Sequence, residues 1–291
     1  MKRIAPSELI LNPDGSIYHL HLQPEQLADT VLVVGDPGRV PEVSKHFDRI
    51  DHKVSNREMV THTGWVGQKH ITVLSSGMGT DNIDIVLNEL DALVNIDLKE
   101  GVIKEERKQL SIIRIGTSGG LQADIPTDSM VASTHGIGTD GLLYFYARYA
   151  EVIDQAMTSA FIKHTKWPDN LPHPYVVAAD PDLLNLISKD IYTTVTCTSP
   201  GFYAPQGREL RLEPTLANIG DLLNSFRYEG RTIGNFEMET SALYGLSGLL
   251  GHKALTVCTI VANRYRKEFS KNYKSAIERL IVHVLDRVCH Q

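Results

Sequence analysis

The sequence predicts an α/β fold, and three observations predict it. Continuous apolar, β-branched runs of the kind that form fully buried strands occur at residues 29–34, 111–120 and 253–262. Apolar side chains recur at helical spacing in Ile83, Val86, Leu87, Leu90 and Leu93, and again in Ile277, Leu280, Ile281, Val284, Leu285 and Val288. Strand and helix patterns alternate along the chain, which is the mark of the class. The 291 residues admit one large domain over 1–291 or two small ones, show no internal repeat, and carry a charged insertion at 98–110.

Composition narrows the function classes. Apolar residues make up 42% and charged residues 22%, which excludes a disordered or fibrous chain. A net charge of −6 supplies no general field for a nucleic-acid backbone, so any phosphate site must be local. Polar sequence follows the charged start, and the apolar stretch 243–262 is interrupted by Ser247, Gly248, His252 and Lys253. It reads as helix, turn and strand, so no membrane span is expected. Three widely spaced cysteines, Cys197, Cys258 and Cys289, suggest a reduced, cytoplasmic protein.

Taken in order, residues 17–22 alternate apolar and polar side chains and predict an edge strand, with His19 and His21 on one face. No third ligand lies near them, so a hydrogen bond to a ligand hydroxyl is preferred to a metal. The first buried strand ends in Gly35-Asp36-Pro37-Gly38-Arg39, where glycines let backbone N–H groups approach an anion and Arg39 can add a charged fork. A tight turn with a solvated arginine is the plainer alternative. Residues 56–63 and 69–74 read as two strands joined by a turn at 64–67, with Arg57 and Glu58 at the start. Residues 75–80 then close the second strand and open an amphipathic helix.

The run 111–120 carries Arg114 where a buried strand should hold no charge. Desolvating an unpaired guanidinium costs several kcal/mol, so a protein carboxylate or a bound anion must face it. The Gly116-Thr117-Ser118-Gly119-Gly120 end favours the anion. Gly136 to Gly141 matches GxGxxG by spacing but lies mid-chain and reads as a loop. Residues 142–189 read as helices around a proline-rich turn.

A short strand at 195–198 leads into a loop able to read a base. Gln206 offers donor and acceptor side by side, Arg208 can donate to a carbonyl, and Phe202 can stack. An ordinary surface loop is the alternative. Last comes the stretch from Asn235 to Tyr244, in which Glu237 and Glu239 flank Met238 just ahead of a helix. A carboxylate can accept both hydroxyls of a ribose, and a methionine offers the ring an apolar wall. Acidic residues in a first helical turn are also favoured simply by the helix dipole.

Together these motifs, Tyr18-His19-Leu20, 35–39, Arg57-Glu58, 114–117, 202–208 and 235–242, resemble in order and over nearly the whole chain the nucleoside phosphorylases of the uridine phosphorylase family. The resemblance implies one domain whose mixed, twisted sheet forms a distorted barrel flanked by helices. It implies that Gly35, Arg39, Arg114 and Thr117 hold phosphate, joined by Arg57 from a neighbouring subunit. His19 would reach the ribose 5′ hydroxyl across the same interface, which requires at least a homodimer and allows a hexamer built as a trimer of dimers. Glu239, with Glu237 and Met238, would hold the ribose, and Phe202, Gln206 and Arg208 the uracil.

The catalytic set so implied is Arg208, Gln206 and Glu239, acting on uridine and phosphate with no cofactor. Purine-directed relatives protonate the base with an aspartate where this chain has Ala262 and Asn263, and nucleosidases have no use for three phosphate arginines. A purine nucleoside phosphorylase or a nucleosidase is the alternative. Asn82 stands where some relatives place a serine that helps a glutamate, here Glu58, bind potassium, which argues against that ion. Val261 and Ala262 are small for the C5 edge of uracil, so thymine nucleosides are expected to fit.

Overall fold

Five consecutive apolar or β-branched side chains from Thr30 to Val34 leave no polar face, and this strand is buried on both sides. It is the first of fourteen strands and seven α-helices in a computed structural model that describes residues 3–289. Met1, Lys2, His290 and Gln291, including the charged start of the chain, lie outside the described residues. In chain order the elements are β1 (Thr30–Val34), α1 (Arg39–Ser44), β2 (Arg49–Asn56), β3 (Met59–Val66), β4 (Lys69–Ser75) and α2 (Thr80–Asn95). Then come β5 (Ile96–Asp97), β6 (Val102–Ile103), β7 (Ser111–Gly120), β8 (Met130–Gly138), α3 (Gln155–Thr165), β9 (Tyr175–Ala178) and α4 (Pro181–Ile187). The last third holds β10 (Tyr192–Thr198), α5 (Ile219–Ser225), β11 (Arg227–Tyr228), β12 (Arg231–Glu237), α6 (Thr240–Leu250), β13 (Lys253–Asn263), β14 (Glu268–Phe269) and α7 (Tyr273–Cys289).

The main sheet runs β11-β12-β10-β8-β13-β7-β1-β4-β3-β2, and a further pairing of β12 with β7 closes five strands into a barrel. It is mixed as expected: β1, β4, β7 and β13 pair in parallel, whereas β13 meets β8 and β12 meets β7 antiparallel. The stripe of α2 is fully buried at Ile83, Val86, Leu87, Leu90 and Leu93. Each such side chain contributes roughly 1.5–3 kcal/mol of transfer free energy. The helix α2 packs against α6, while α7 packs on β13 and β7. A smaller core under the barrel joins Phe161, Phe226, Val195 and Ile233. Among the described residues no helix is long and apolar enough to cross a membrane.

Five expectations change. Residues 17–22 form no strand: Ile17 makes an isolated bridge to Leu11, residues 18–20 turn, and His21 has φ 55°. The alternation misled because Glu89 of α2 captures the backbone N–H groups of His19 and Leu20 that a strand would have needed. The polar run Arg49–Asn56 is instead a strand, and Arg57 and Glu58 form its hairpin turn to β3, with φ 52° at Arg57. The next turn lies at 66–69, because Gly64 stays in the strand; a Cβ there would sit 2.1 Å from the Arg49 carbonyl oxygen of β2. Gly136 to Gly138 complete β8, so that glycine run is largely strand rather than loop. Residues 142–189 include the strand β9 beside the helices α3 and α4. The insertion at 98–110 is mostly exposed and is tied down where Asn95 accepts from the Lys108 amide at 2.7 Å.

Candidate active site

The strand ends that the sequence marked with glycine meet around one cavity of about 760 Å³. Its wall includes Gly35 and Arg39 after β1, Gly77 and Met78 after β4, and Thr117 to Gly119 in β7. Phe236 and Glu237 at the end of β12, Met238 and Glu239 just beyond it, Val261 and Ala262 in β13, and the loop residues Phe202, Gln206 and Arg208 complete it. Ligands bind in such a place because parallel strands deliver their following loops to a common edge.

At one end two guanidinium groups face the cavity. Arg39 leads α1 and donates from Nη1 to the Ile115 carbonyl at 3.4 Å. Burial and the like charge of Arg114 lower its pKa, so its cation gains from any anion that enters. Arg114 is buried in β7, in register with Val33 of β1 and Thr256 of β13. Its Nη1 lies 3.2 Å from Glu237 and its Nη2 bonds to Glu239. Burial alone would lower its pKa; Glu239 and Glu237 outweigh that and raise it. The sequence favoured a bound anion as the answer to this charge; the direct partners are instead the carboxylates of Glu237 and Glu239. Gly116 makes the arrangement possible, since a Cβ there would stand 2.2 Å from Arg114 Nη1.

The two glutamates have different tasks. Glu237 accepts from the Glu239 amide at 2.9 Å, from the Thr240 amide at 3.0 Å and from Thr198 Oγ1 at 2.8 Å. It therefore caps the first turn of α6, the use that the helix dipole favours. Glu239 accepts from the Gly79 amide at 2.9 Å, and Gly79, with φ 98°, is the N-cap of α2. Burial, together with Glu237, pushes the pKa of Glu239 up against the opposing effect of Arg114. Two buried carboxylates thus share one guanidinium.

At the other end Arg208 lies with its guanidinium carbon 3.7 Å from the centre of the Phe202 ring. It donates to the Phe202 carbonyl at 2.6 Å and to Oε1 of the buried Gln206. Burial and the nearby Arg264 lower its pKa to about 10. Phe236 carries both cations, with Arg264 at 4.9 Å and Arg208 at 5.4 Å from its ring centre. Opposite it in β7, Gly119 leaves room that a Cβ, 3.0 Å from the ring, would take.

His19 and Arg57 are not among the side chains around their own chain's cavity. They stand together elsewhere: the Arg57 guanidinium lies 5.7 Å from the Tyr18 ring centre, and Tyr18 is edge-on to His19. His19 Nδ1 is 2.6 Å from Glu89, whereas His21 faces Asp14, so the two imidazoles do not share a face.

The family model of the phosphorylase superfamily matches residues 29–287, nearly the whole chain. The chain belongs to that superfamily. Among curated relatives, a uridine phosphorylase of Thermococcus kodakarensis is 29% identical over 276 residues, covering 93% of this chain and 86% of its own length. One from Haemophilus influenzae is 26% identical, covering 87% and 89%. A crystal structure of a Trypanosoma brucei nucleoside phosphorylase, whose description reports uridine phosphorylase activity, superposes with TM-score 0.86 at 28% identity. That match covers 97% of this chain and 100% of the other.

Within this superfamily member, four cavity or cavity-flanking residues escaped the sequence reading. Phe236 lay inside a stretch already singled out, and its burial opposite a glycine was the available signal. Met78 follows one of the glycine-marked strand ends. Arg264 and Phe269 gave none, because the turn after β13 and the two-residue strand β14 are too short to show a pattern that aims a side chain. Asn263, in the exit region of the last strand, is consumed by structure: it donates to the Gln122 and Ile125 carbonyls at 2.8 Å and accepts from the Tyr265 and Arg266 amides.

Proposed function

We propose that this cavity carries out phosphorolysis of a pyrimidine nucleoside, converting uridine and phosphate into uracil and ribose 1-phosphate. One observation carries the reading: two arginines, a carboxylate with a methionine beside it, and a Gln-Arg-Phe trio line a single cavity of about 760 Å³. That volume lies in the range of small-molecule sites, roughly 300–1,000 Å³. The uridine phosphorylase relatives support the choice of base.

Phosphate lies against Arg39, Arg114 and the Thr117 hydroxyl, and the ribose hydroxyls donate to Glu239. As the C1′–N1 bond breaks, its electron pair leaves with the base and positive charge builds on the sugar. The phosphate dianion stabilises that charge and then bonds to C1′. Arg208, a partly desolvated cation repelled by Arg264, gains as negative charge arrives on the uracil carbonyls, and Gln206 fixes the base edge. Asn263 holds the backbone and supplies no acid for a purine. No cofactor enters this sequence of steps.

Glu237 and Glu239 offset the charges of Arg39 and Arg114, so a bound phosphate calls for a further cation. Arg57 from a second copy fits that need, with His19 beside it. The working unit is therefore a homodimer at least, with a trimer of dimers as the larger form, acting in cytoplasmic pyrimidine salvage.

Incubating the protein with uridine or adenosine, with and without inorganic phosphate, tests the reading. Uracil should appear from uridine when phosphate is present. Adenine release, or uracil release that ignores phosphate, would overturn it.

A further inference from the structure

We propose that Glu89 is a positioning residue: it fixes the His19 imidazole so that Nε2 accepts a hydrogen bond from the 5′ hydroxyl of a nucleoside held by a second copy of this chain. The inference rests on the function proposed above. Its starting point is an unusual concentration of donors on one side chain of α2. Glu89 Oε1 receives the His19 amide at 3.0 Å and lies 2.6 Å from His19 Nδ1, while Oε2 receives the Leu20 amide at 2.7 Å.

Both oxygens of Glu89 already face backbone N–H donors, so the side chain is arranged as an acceptor. The ring nitrogen against it therefore carries the proton, and in the neutral imidazole Nε2 keeps its lone pair. Among the described residues Nε2 of His19 has no hydrogen-bond partner, and the side chain is 27% exposed.

The surroundings restrict where the ring can go. Asn56, at the end of β2, donates to the His19 carbonyl at 2.8 Å and so joins this turn to the hairpin that carries Arg57. Tyr18 closes one side of the ring, with centroids 4.8 Å apart, and in turn lies under Arg57. The arm thus presents an acceptor and a cation side by side, outside its own cavity. Those are complements of a sugar hydroxyl and a phosphate. A purely structural Glu89 would need the two backbone bonds alone; the third contact, to Nδ1, orients the ring.

The test compares Glu89→Gln and Glu89→Ala with the parent on uridine and on 5′-deoxyuridine, which lacks the hydroxyl. Losing one oriented hydrogen bond should lower kcat/KM for uridine about tenfold. Activity on 5′-deoxyuridine should change less than about twofold, and adding His19→Ala should cost nothing further. Equal losses on both substrates, or no loss on either, would overturn the proposal. Ring ¹⁵N shifts of His19 should also report a protonated Nδ1 in the parent and a mixture in Glu89→Ala; a protonated Nε2 in the parent would overturn it without reference to turnover. A parent protein that leaves uridine intact overturns the functional reading itself, and that result is seen before any variant is compared.

Discussion

Replacing Arg114 by methionine should destabilise the protein chiefly through the carboxylates it leaves behind. Arg114, Glu237 and Glu239 are all nearly inaccessible to solvent, and the guanidinium contacts both acids. Removing one partner of a buried ion pair costs about 3–5 kcal/mol, because the remaining charge is unpaired in a poor solvent. For a chain of this size that loss corresponds to a melting temperature lower by on the order of 10 °C. Burial already holds the pKa of Glu239 above its ordinary value, and Arg114 is what opposes that rise. Without it the folded pKa climbs further. An acid whose folded pKa exceeds its unfolded pKa imposes no penalty below the ordinary carboxylate range, and the penalty grows as the pH rises through the folded value. The variant should therefore lie much closer to the parent at pH 5 than at pH 7.5. Adding Glu239→Gln should recover part of the lost stability at neutral pH. Thermal unfolding of the three proteins at both pH values measures this. A variant as stable as its parent at pH 7.5, or one that loses more at pH 5, would refute the reasoning.

Three further outcomes follow from the cavity. Arg39→Ala should raise the KM for phosphate at least tenfold while leaving the fold intact, since Arg39 bonds one carbonyl and otherwise faces the anion end; initial rates over a phosphate series check it. Arg208→Ala should lower uridine turnover by at least an order of magnitude with an unchanged circular dichroism spectrum, and full activity would contradict its place at the base. Val261 and Ala262 line the cavity with small side chains, so kcat/KM for thymidine should remain within about tenfold of that for deoxyuridine; a stronger rejection of the 5-methyl group would contradict this.

The legible parts of this protein were those where burial and chemistry agreed. Thr30–Val34 could only be an interior strand, and the apolar stripe of α2 could only face a core. Arg114 announced itself by breaking such a run, and the glycines after β1 and β4 and in the last residues of β7 marked the strand ends that surround the cavity. Legibility failed where solvent takes one side of the account. Arg49–Asn56 alternates exposed and half-buried side chains and lacks an apolar face, so nothing in its pattern distinguishes an edge strand from a loop. Residues 17–22 possess the alternation but lose their backbone donors to a carboxylate some seventy residues away. Glu237 and Glu239, two residues apart, both line the cavity, but their different hydrogen bonds depend on Thr198 at the end of β10 and on Gly79 after β4, which only the folded sheet brings near.

The central claim is that the arginine end of the cavity holds the attacking phosphate. Following the protein, uridine and inorganic phosphate by ³¹P NMR tests it most directly. A sugar phosphate resonance should grow in step with uracil release as the inorganic signal falls. Uracil released alongside free ribose, with the phosphate signal unchanged, would contradict the account.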